Sequence, residues 1–496
     1  MKGALRSSLP LVATACLGLW LRSGNLTSPY LLDAHSFRQG DTAGFALGYL
    51  IGSFNPLAPT TVRQPCRAGS TPRVESELPL PAWLAVLPLK LLGATYPPAW
   101  YLRSVWLLFY LGTCAYLYLL SRQLGASHAL AGLVVFVLSV LPLAVFFTVS
   151  IQPDGPSLGI GAGLLYHLAR WLEHKQTKDE VLLVALGATV LLVKVSNVYL
   201  ALPALWLLVS QQGWPATFKQ PRTWLWALLI ATPGCAWYTY IHYTSSWTFV
   251  LWETGGYTKF SSFETFTSAA HWMRLSNRLV YQIFGWSGFV LAVLGASHGR
   301  EQRILRVAAA WAGGFCVFLL AAMPANVTHN YYQLPLVVPA AFLIACGIAH
   351  LWQRPWKGRV GLAVLGLIFL ASARHTLSRH SKRTEGGLYR EKQGMYEAVT
   401  MLREHVPEGQ RFIAIPGRPE LFYNSNRRGF TGKDFSVRRV ESCAKRLGSR
   451  FVYLMLDAAN RKRARRIVLE HPEWAHRLQA IARGREWTLY RYENAI

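Results

Sequence analysis

Acidic residues are scarce in this chain: 24 Asp and Glu stand against 51 Lys and Arg, a formal net charge of +27 over 496 residues. Charge of either sign is thin as well, at 15% of residues, where a soluble domain usually carries about 25%. That shortage argues against an ordinary soluble enzyme. Cysteine is sparse too, seven in all with no CxxC pair. Cys16, Cys114, Cys235, Cys316 and Cys346 lie in apolar runs and read as buried, inert thiols. Cys66 and Cys443 lie in polar segments and could pair if both face an oxidising compartment. The basic excess sits in short loops and in one tail, a pattern that points to anionic headgroups or phosphate-bearing substrates and not to nucleic acid.

What the chain has in quantity is apolar surface. Hydrophobic residues make up 52%, with 19 Trp and 22 Tyr, as in proteins whose aromatic rings sit at two membrane interfaces. Apolar stretches fall at 8–22, 99–120, 128–149, 155–172, 180–194, 196–210, 223–241, 281–297, 304–322, 332–351 and 358–373. They predict an all-α polytopic membrane protein with about 11 transmembrane helices, some short or tilted. Lys2 and Arg6 before the first stretch resemble a signal peptide, yet the ten stretches that follow favour an uncleaved first helix. The segment 180–210 is interrupted by Lys194, Ser196 and Asn197, and the loop charges alternate correctly only if it crosses twice. Basic loops alternate with loops poorer in Lys and Arg, of which SIQPDG and MPANVTHN contain none, and this places the basic loops and the N-terminus inside.

Two long external loops result, 23–98 and 242–280, and their polar and aromatic content predicts amphipathic helices lying on the membrane face. The membrane domain is 1–375. The tail, 376–496, changes character and predicts a small external soluble α/β domain. RFIAI, RFVYLML and EWTLYRY read as strands, while MYEAVTMLREHV and AANRKRARRIVLEH read as helices. The second of these helices is basic, and rests either on anionic headgroups or as a solvated face.

Five polar constellations stand out. DAHSFRQGD gathers Asp33, His35, Arg38, Gln39 and Asp41 just after the first apolar stretch. In a helix starting near His35, spacings of three put His35, Arg38 and Asp41 on one face. A carboxylate beside an arginine stays ionised and can accept a proton from a hydroxyl; the bland alternative is a hydrated juxtamembrane loop. ESELPLP carries Glu75 and Glu77, which could hold a metal, a sugar hydroxyl or nothing. Asp154 opens an apolar stretch and reads as a helix cap. Lys194 is either a snorkelling residue or a point charge for a lipid-linked phosphate. His329, Tyr331 and Tyr332 form an interface anchor or a polar site for a sugar or phosphate. All five fall on the same expected face of the membrane, which is the argument for one external active site.

The ordered stretches at 33–43, 75–93, 152–165, 191–203 and 329–340 resemble bacterial membrane glycosyltransferases of the GT-C superfamily. The group is the one related to protein O-mannosyltransferases and to the aminoarabinose transferase of lipid A. PELFYNSNRRGF, in the tail, looks like a stretch of that group's external domain. The resemblance implies a GT-C-like multi-spanning fold and a polyprenyl-phosphate-linked sugar as donor. It implies transfer with inversion outside a bacterial cytoplasmic membrane, to a lipid, glycan or protein acceptor. It also implies an Asp of the first external loop as base: Asp41 first, with Asp33 as the other candidate. Arg38, Lys194 and His329 are then the cations for the leaving phosphate, with His35, Gln39, Tyr331 and Tyr332 as donor contacts and Glu75, Glu77 and Asp154 as supporting acids. No cofactor is called for; a divalent metal at Glu75 and Glu77 is the one option, without convincing ligand spacing. The rival readings are a transporter or flippase of lipid-linked sugars and an O-antigen-type ligase.

Overall fold

A computed structural model describes residues 2–65, 70–246, 259–298, 302–379, 392–432 and 434–494. The chain divides into two compact units. The first comprises Met1–Leu26, Arg103–Thr239 and Leu251–Ser381; the second comprises Thr27–Leu102, Tyr240–Val250 and Lys382–Ile496.

The first unit is helical. Apolar runs in a bilayer must satisfy every backbone polar group internally, and the helix does so within one segment. A helix lies in each of the apolar stretches of the sequence. Among the described residues, Ala99–Gln123, Gln302–Ala321 and Asn330–Trp352 are long and apolar enough to cross a membrane. A fourth crossing results if Ala269–Phe284 and Trp286–His298, bent by 85°, count as one. The chain is therefore a multi-pass membrane protein.

Two stretches differ from the sequence expectation, those at 128–149 and 281–297, while the interruption expected at 180–210 is present. The run at 128–149 divides into His128–Val140 and Pro142–Phe147. Pro142 forces the preceding Leu141 into extended backbone, φ −62° and ψ 127°. The run at 281–297 starts later, at Trp286, after a wide helical turn over Leu279–Phe284 and a left-handed Gly285 at φ 68°. At 180–210 the helix Thr177–Val193 stops at Lys194, and a tight 3-10 segment, Val195–Leu200, leads into Ala201–Gln212. Cys114 and Cys346 are buried, but Cys16, Cys235 and Cys316 are exposed on the unit's surface; apolar residues face outward where lipid replaces water. The Arg22 cation is held inside: it donates to Thr148 Oγ1, 2.9 Å, and to the Ser139 carbonyl, 2.9 Å, and lies 3.8 Å over the Tyr110 ring.

The second unit is built on a six-stranded sheet. Its strands are β1 (Arg63–Pro65), β2 (Phe412–Ile415), β3 (Gly429–Thr431), β4 (Phe451–Asp457), β5 (Leu478–Arg483) and β6 (Trp487–Glu493), in the order β1-β3-β2-β4-β6-β5. The first four strands in that order run parallel, and β6 and β5 add as antiparallel neighbours. All four residues of β2 are buried, as an unbroken apolar run in a parallel sheet should be. Ile413, Ile415, Leu454 and Leu456 form a core with Phe435 and Trp474. The three strands and two helices expected in the tail are present. β1, however, comes from the loop at 23–98, so two distant stretches of sequence build one sheet.

That loop also departs from the amphipathic expectation. Thirteen residues of its helix Ser36–Ile51 are buried, and the helix packs on Pro419–Ser425. Gly40 sets the approach: a Cβ there would stand 2.7 Å from the Glu420 backbone nitrogen. The loop at 242–280 fits the expectation better over its described part, with Phe263, Phe266, Trp272 and Met273 exposed along the helices Phe263–Thr267 and Ala269–Arg278. The WETGGYT part of WETGGYTKFSSFETF, before Lys259, lies outside the described residues. Cys443 is disulfide-bonded; Cys66, its expected partner, also lies outside them.

Candidate active site

In the second unit, the helix Ser36–Ile51 begins after His35, a non-glycine residue held in the left-handed region at φ 56°. Such conformations cost energy and gather at functional sites. Ahead of it, Gln39 Nε2 donates to Asp33 Oδ1, 2.5 Å, and to the Ala34 carbonyl, 2.9 Å. Asp33 is thereby engaged in fixing the turn into the helix.

Asp41 lies one turn further and is 6% exposed. Its Oδ1 accepts from Arg63 Nη2 at 2.6 Å. The sequence spacing points to Arg38 as its partner, but Arg38 Nη2 reaches Glu77 Oε2 instead, at 2.7 Å. Burial pushes the Asp41 carboxyl above the usual aspartate range, against Arg63 and Arg38, which pull it down; Glu420 pushes it up further. A buried carboxyl with a raised pKa and a specific charged partner is a candidate general base.

Glu420 was not singled out by the sequence, although PELFYNSNRRGF was. It is fully buried at the start of the helix Pro419–Ser425. Its Oε1 accepts from Ser36 Oγ, 3.1 Å, and from Arg418 Nε, 3.1 Å, while Oε2 has no hydrogen-bond partner among the described residues. Lys392 Nζ donates to the same Ser36 hydroxyl at 3.2 Å. Arg63, also missed, gave no signal beyond a lone basic residue in TTVRQP. The unit thus brings together Asp33, His35, Arg38, Gln39, Asp41 and Glu77, and adds Arg63, Arg418 and Glu420. Glu75 stands apart, fully buried with His242 Nδ1 3.5 Å from its Oε1.

Glu77 is engaged by Arg38, which leaves it poorly placed to share a metal with Glu75. Among the described residues, no group of three His, Cys, Asp or Glu side chains is placed to hold one.

In the first unit, Asp154 opens the helix Asp154–His174, but its carboxylate makes no cap. Asp154 Oδ1 accepts instead from Lys194 Nζ. Lys194 is 6% exposed, so it does not snorkel. Its ammonium stands 4.4 Å over the Tyr332 ring and 5.4 Å over that of Tyr331. Tyr331 stacks on Tyr332 at 4.9 Å and on His329 at 5.1 Å. The arrangement is a paired cation under an aromatic cage, with Asp154 Oδ2 left without a partner among the described residues. The sequence showed each of these five residues but not that Asp154 and Lys194 meet.

Residues 72–239 match the family model described as dolichyl-phosphate-mannose-protein mannosyltransferase. No curated protein matches the chain. Among solved structures, ArnT from Cupriavidus metallidurans, bound to undecaprenyl phosphate, superposes with a TM-score of 0.62 at 12% identity, covering 97% of each chain. The archaeal oligosaccharyltransferase AglB from Archaeoglobus fulgidus, in complex with an inhibitory peptide and a dolichol-phosphate, gives a TM-score of 0.56 at 11% identity, over 91% of this chain and 69% of that one. The likeness to both is one of fold.

Proposed function

We propose that this GT-C glycosyltransferase moves a sugar from a polyprenyl-phosphate donor to a hydroxyl of a cell-envelope acceptor, with inversion at the anomeric carbon. The observation that carries the reading is Asp41, a buried carboxyl set against Arg63 in a chain whose fold is that of lipid-phosphate-binding transferases. The acceptor hydroxyl gives its proton to Asp41 as its oxygen bonds to the anomeric carbon. The bond from that carbon to the phosphate oxygen breaks, and polyprenyl phosphate leaves with the electron pair. A phosphate leaving group needs little protonation, so one carboxylate suffices where a glycosidase uses two.

Within the second unit, Arg63 holds the base in place, and Glu420 raises its basicity. Asp33 and Gln39 fix the turn ahead of it. Within the first unit, Lys194 is the cation for the donor phosphate, and Tyr331, Tyr332 and His329 form its aromatic surround. Phosphate oxygens recruit Lys194 at the expense of Asp154, whose carboxylate holds the ammonium until the donor arrives.

The reading extends to topology. Eleven crossings in a bacterial cytoplasmic membrane would leave the second unit outside. A disulfide at Cys443 supports that side, since disulfides persist in oxidising compartments. A panel of radiolabelled polyprenyl-phosphate sugars, offered to the purified protein with envelope extracts, tests the function. Transfer of one of them to an extracted acceptor is expected. Uptake of lipid-linked sugar across a vesicle membrane, with no transfer, would instead favour the transporter.

A further inference from the structure

The second unit carries two arginines, Arg411 and Arg428, to which the transfer reaction gives no role. Arg411 precedes β2 and Arg428 precedes β3. These parallel strands are in register from Phe412 opposite Gly429, and the Phe412 amide donates to the Arg428 carbonyl at 3.1 Å. The two arginines therefore sit side by side at neighbouring strand starts. Like charges in such positions repel, and neither forms an ion pair among the described residues. Arg428 gives one donor, Nη2, to the Ile51 carbonyl at 2.9 Å. Partial burial and the Arg411 charge both push its guanidinium down.

The pair forms the wall between two cavities. The larger, of about 380 Å³, is also lined by Arg427 and Glu408, and falls within the range of small-ligand sites, about 300–1,000 Å³. Arg427 is spent on structure, donating to the carbonyls of Val406, Ser425 and Asn426. The smaller, of about 90 Å³, is lined by Arg63 and by Thr61. Thr61 is 7% exposed, and its hydroxyl is buried without a hydrogen-bond partner among the described residues. A buried unpartnered donor costs stability unless something fills it.

We infer that Arg411 and Arg428, with the Thr61 hydroxyl beside them, form a binding site for an oxyanion of the phosphate or carboxylate kind. Two guanidinium forks match the planar edges of such groups and bind them through paired, charge-assisted hydrogen bonds. The anion also relieves the repulsion between the two arginines. As a site this stands on the pocket alone. Its use, to hold a negatively charged group of the acceptor away from the reacting hydroxyl, rests on the transferase reading.

The test uses the full-length chain in phosphatidylcholine nanodiscs, in a Lys194→Ala/Asp154→Ala background that removes the cation assigned to the donor phosphate together with the carboxylate it would leave unpaired. Inorganic phosphate is titrated by calorimetry. Saturable binding is expected, weakening with salt and falling about tenfold or more in Arg411→Gln/Arg428→Gln. The single substitutions should fall part of the way, and Arg428→Lys should retain part of the binding, so a misfolded double variant does not stop the experiment. Equal binding by all variants would overturn the site. Dihexanoyl phosphatidic acid is titrated alongside. Tighter binding than phosphate, lost in the same variants, identifies a lipid headgroup as the source; parity identifies a free or glycan-borne group. Absence of sugar transfer by the wild-type chain would remove the assigned use while the phosphate titration still decided the site.

Discussion

At the scale of single residues, the proposed proton transfer rests on Asp41. Its carboxyl is pushed up by burial and by Glu420, and pulled down by Arg63 and Arg38. A base works in its deprotonated form, so transfer should fail as pH drops through the Asp41 pKa, and the acidic limb should lie above the usual aspartate value of about 3.9. Arg63→Gln removes a lowering charge and should move that limb upward. A pH–rate profile of the variant that does not move, or moves down, contradicts the assignment. Asp33→Asn should cost less than Asp41→Asn, since Asp33 is committed to Gln39 in the turn. For the other unit, Lys194→Ala leaves the Asp154 carboxylate buried and unpaired, which costs about 3–5 kcal/mol. Asp154→Ala should be similarly harmful, and the double variant less so than the sum of the two. Donor binding should weaken wherever Lys194 is absent, and Lys194→Arg should not rescue it fully, because a planar fork replaces a point charge. Normal donor binding in stabilised double variants would make the pair purely structural. Asp41, Lys194 and Asp154 were legible in the sequence because ionisable residues are conspicuous in an oily chain. Arg63 and Glu420 were not, since their meaning comes from Asp41, which is 22 residues from the first and far from the second in sequence.

At the scale of elements, the helix Ser36–Ile51 is held by close approach to Pro419–Ser425. Gly40→Ala puts a methyl 2.7 Å from the Glu420 backbone, and overpacking of this kind costs about 1–3 kcal/mol. Gly132, in the helix His128–Val140, has nothing within 4 Å of where a methyl would stand, so Gly132→Ala should be neutral or gain up to about 1 kcal/mol in helix propensity. Thermal unfolding of the two variants side by side checks this; equal melting would mean the helix contact is loose. Strands β2, β4 and β6 and the two tail helices were legible from apolar runs and periodicity. β1 and β3 were not, because three residues each carry no period and their strand character comes from the neighbour they pair with. The helix Ser36–Ile51 was legible as a helix but not as a buried one: its glycines and small residues dilute the apolar stripe while allowing neighbours on every side.

For the whole molecule, hydropathy located the helical segments because the bilayer imposes one requirement on all of them. It located the break at Lys194 but not those at Leu141 and Gly285, where a proline and a left-handed glycine intervene. Loop charge predicts that Lys357 is cytoplasmic and Glu397 external. Cysteine substitutions at the two positions, labelled with an impermeant maleimide on intact cells, should react only at 397. Labelling of both, or of neither, removes the eleven-span topology.

The central claim of the proposal is that Asp41 takes the acceptor proton. Turnover of Asp41→Asn, measured beside donor binding in the same preparation, decides whether it does. The amide keeps the size of the side chain but cannot accept a proton near neutral pH. Turnover should fall by about 10²–10⁴-fold with donor affinity retained, because the lost step is proton transfer and not binding. Normal turnover by Asp41→Asn, with donor bound as tightly as in the wild type, would show that the proton goes elsewhere.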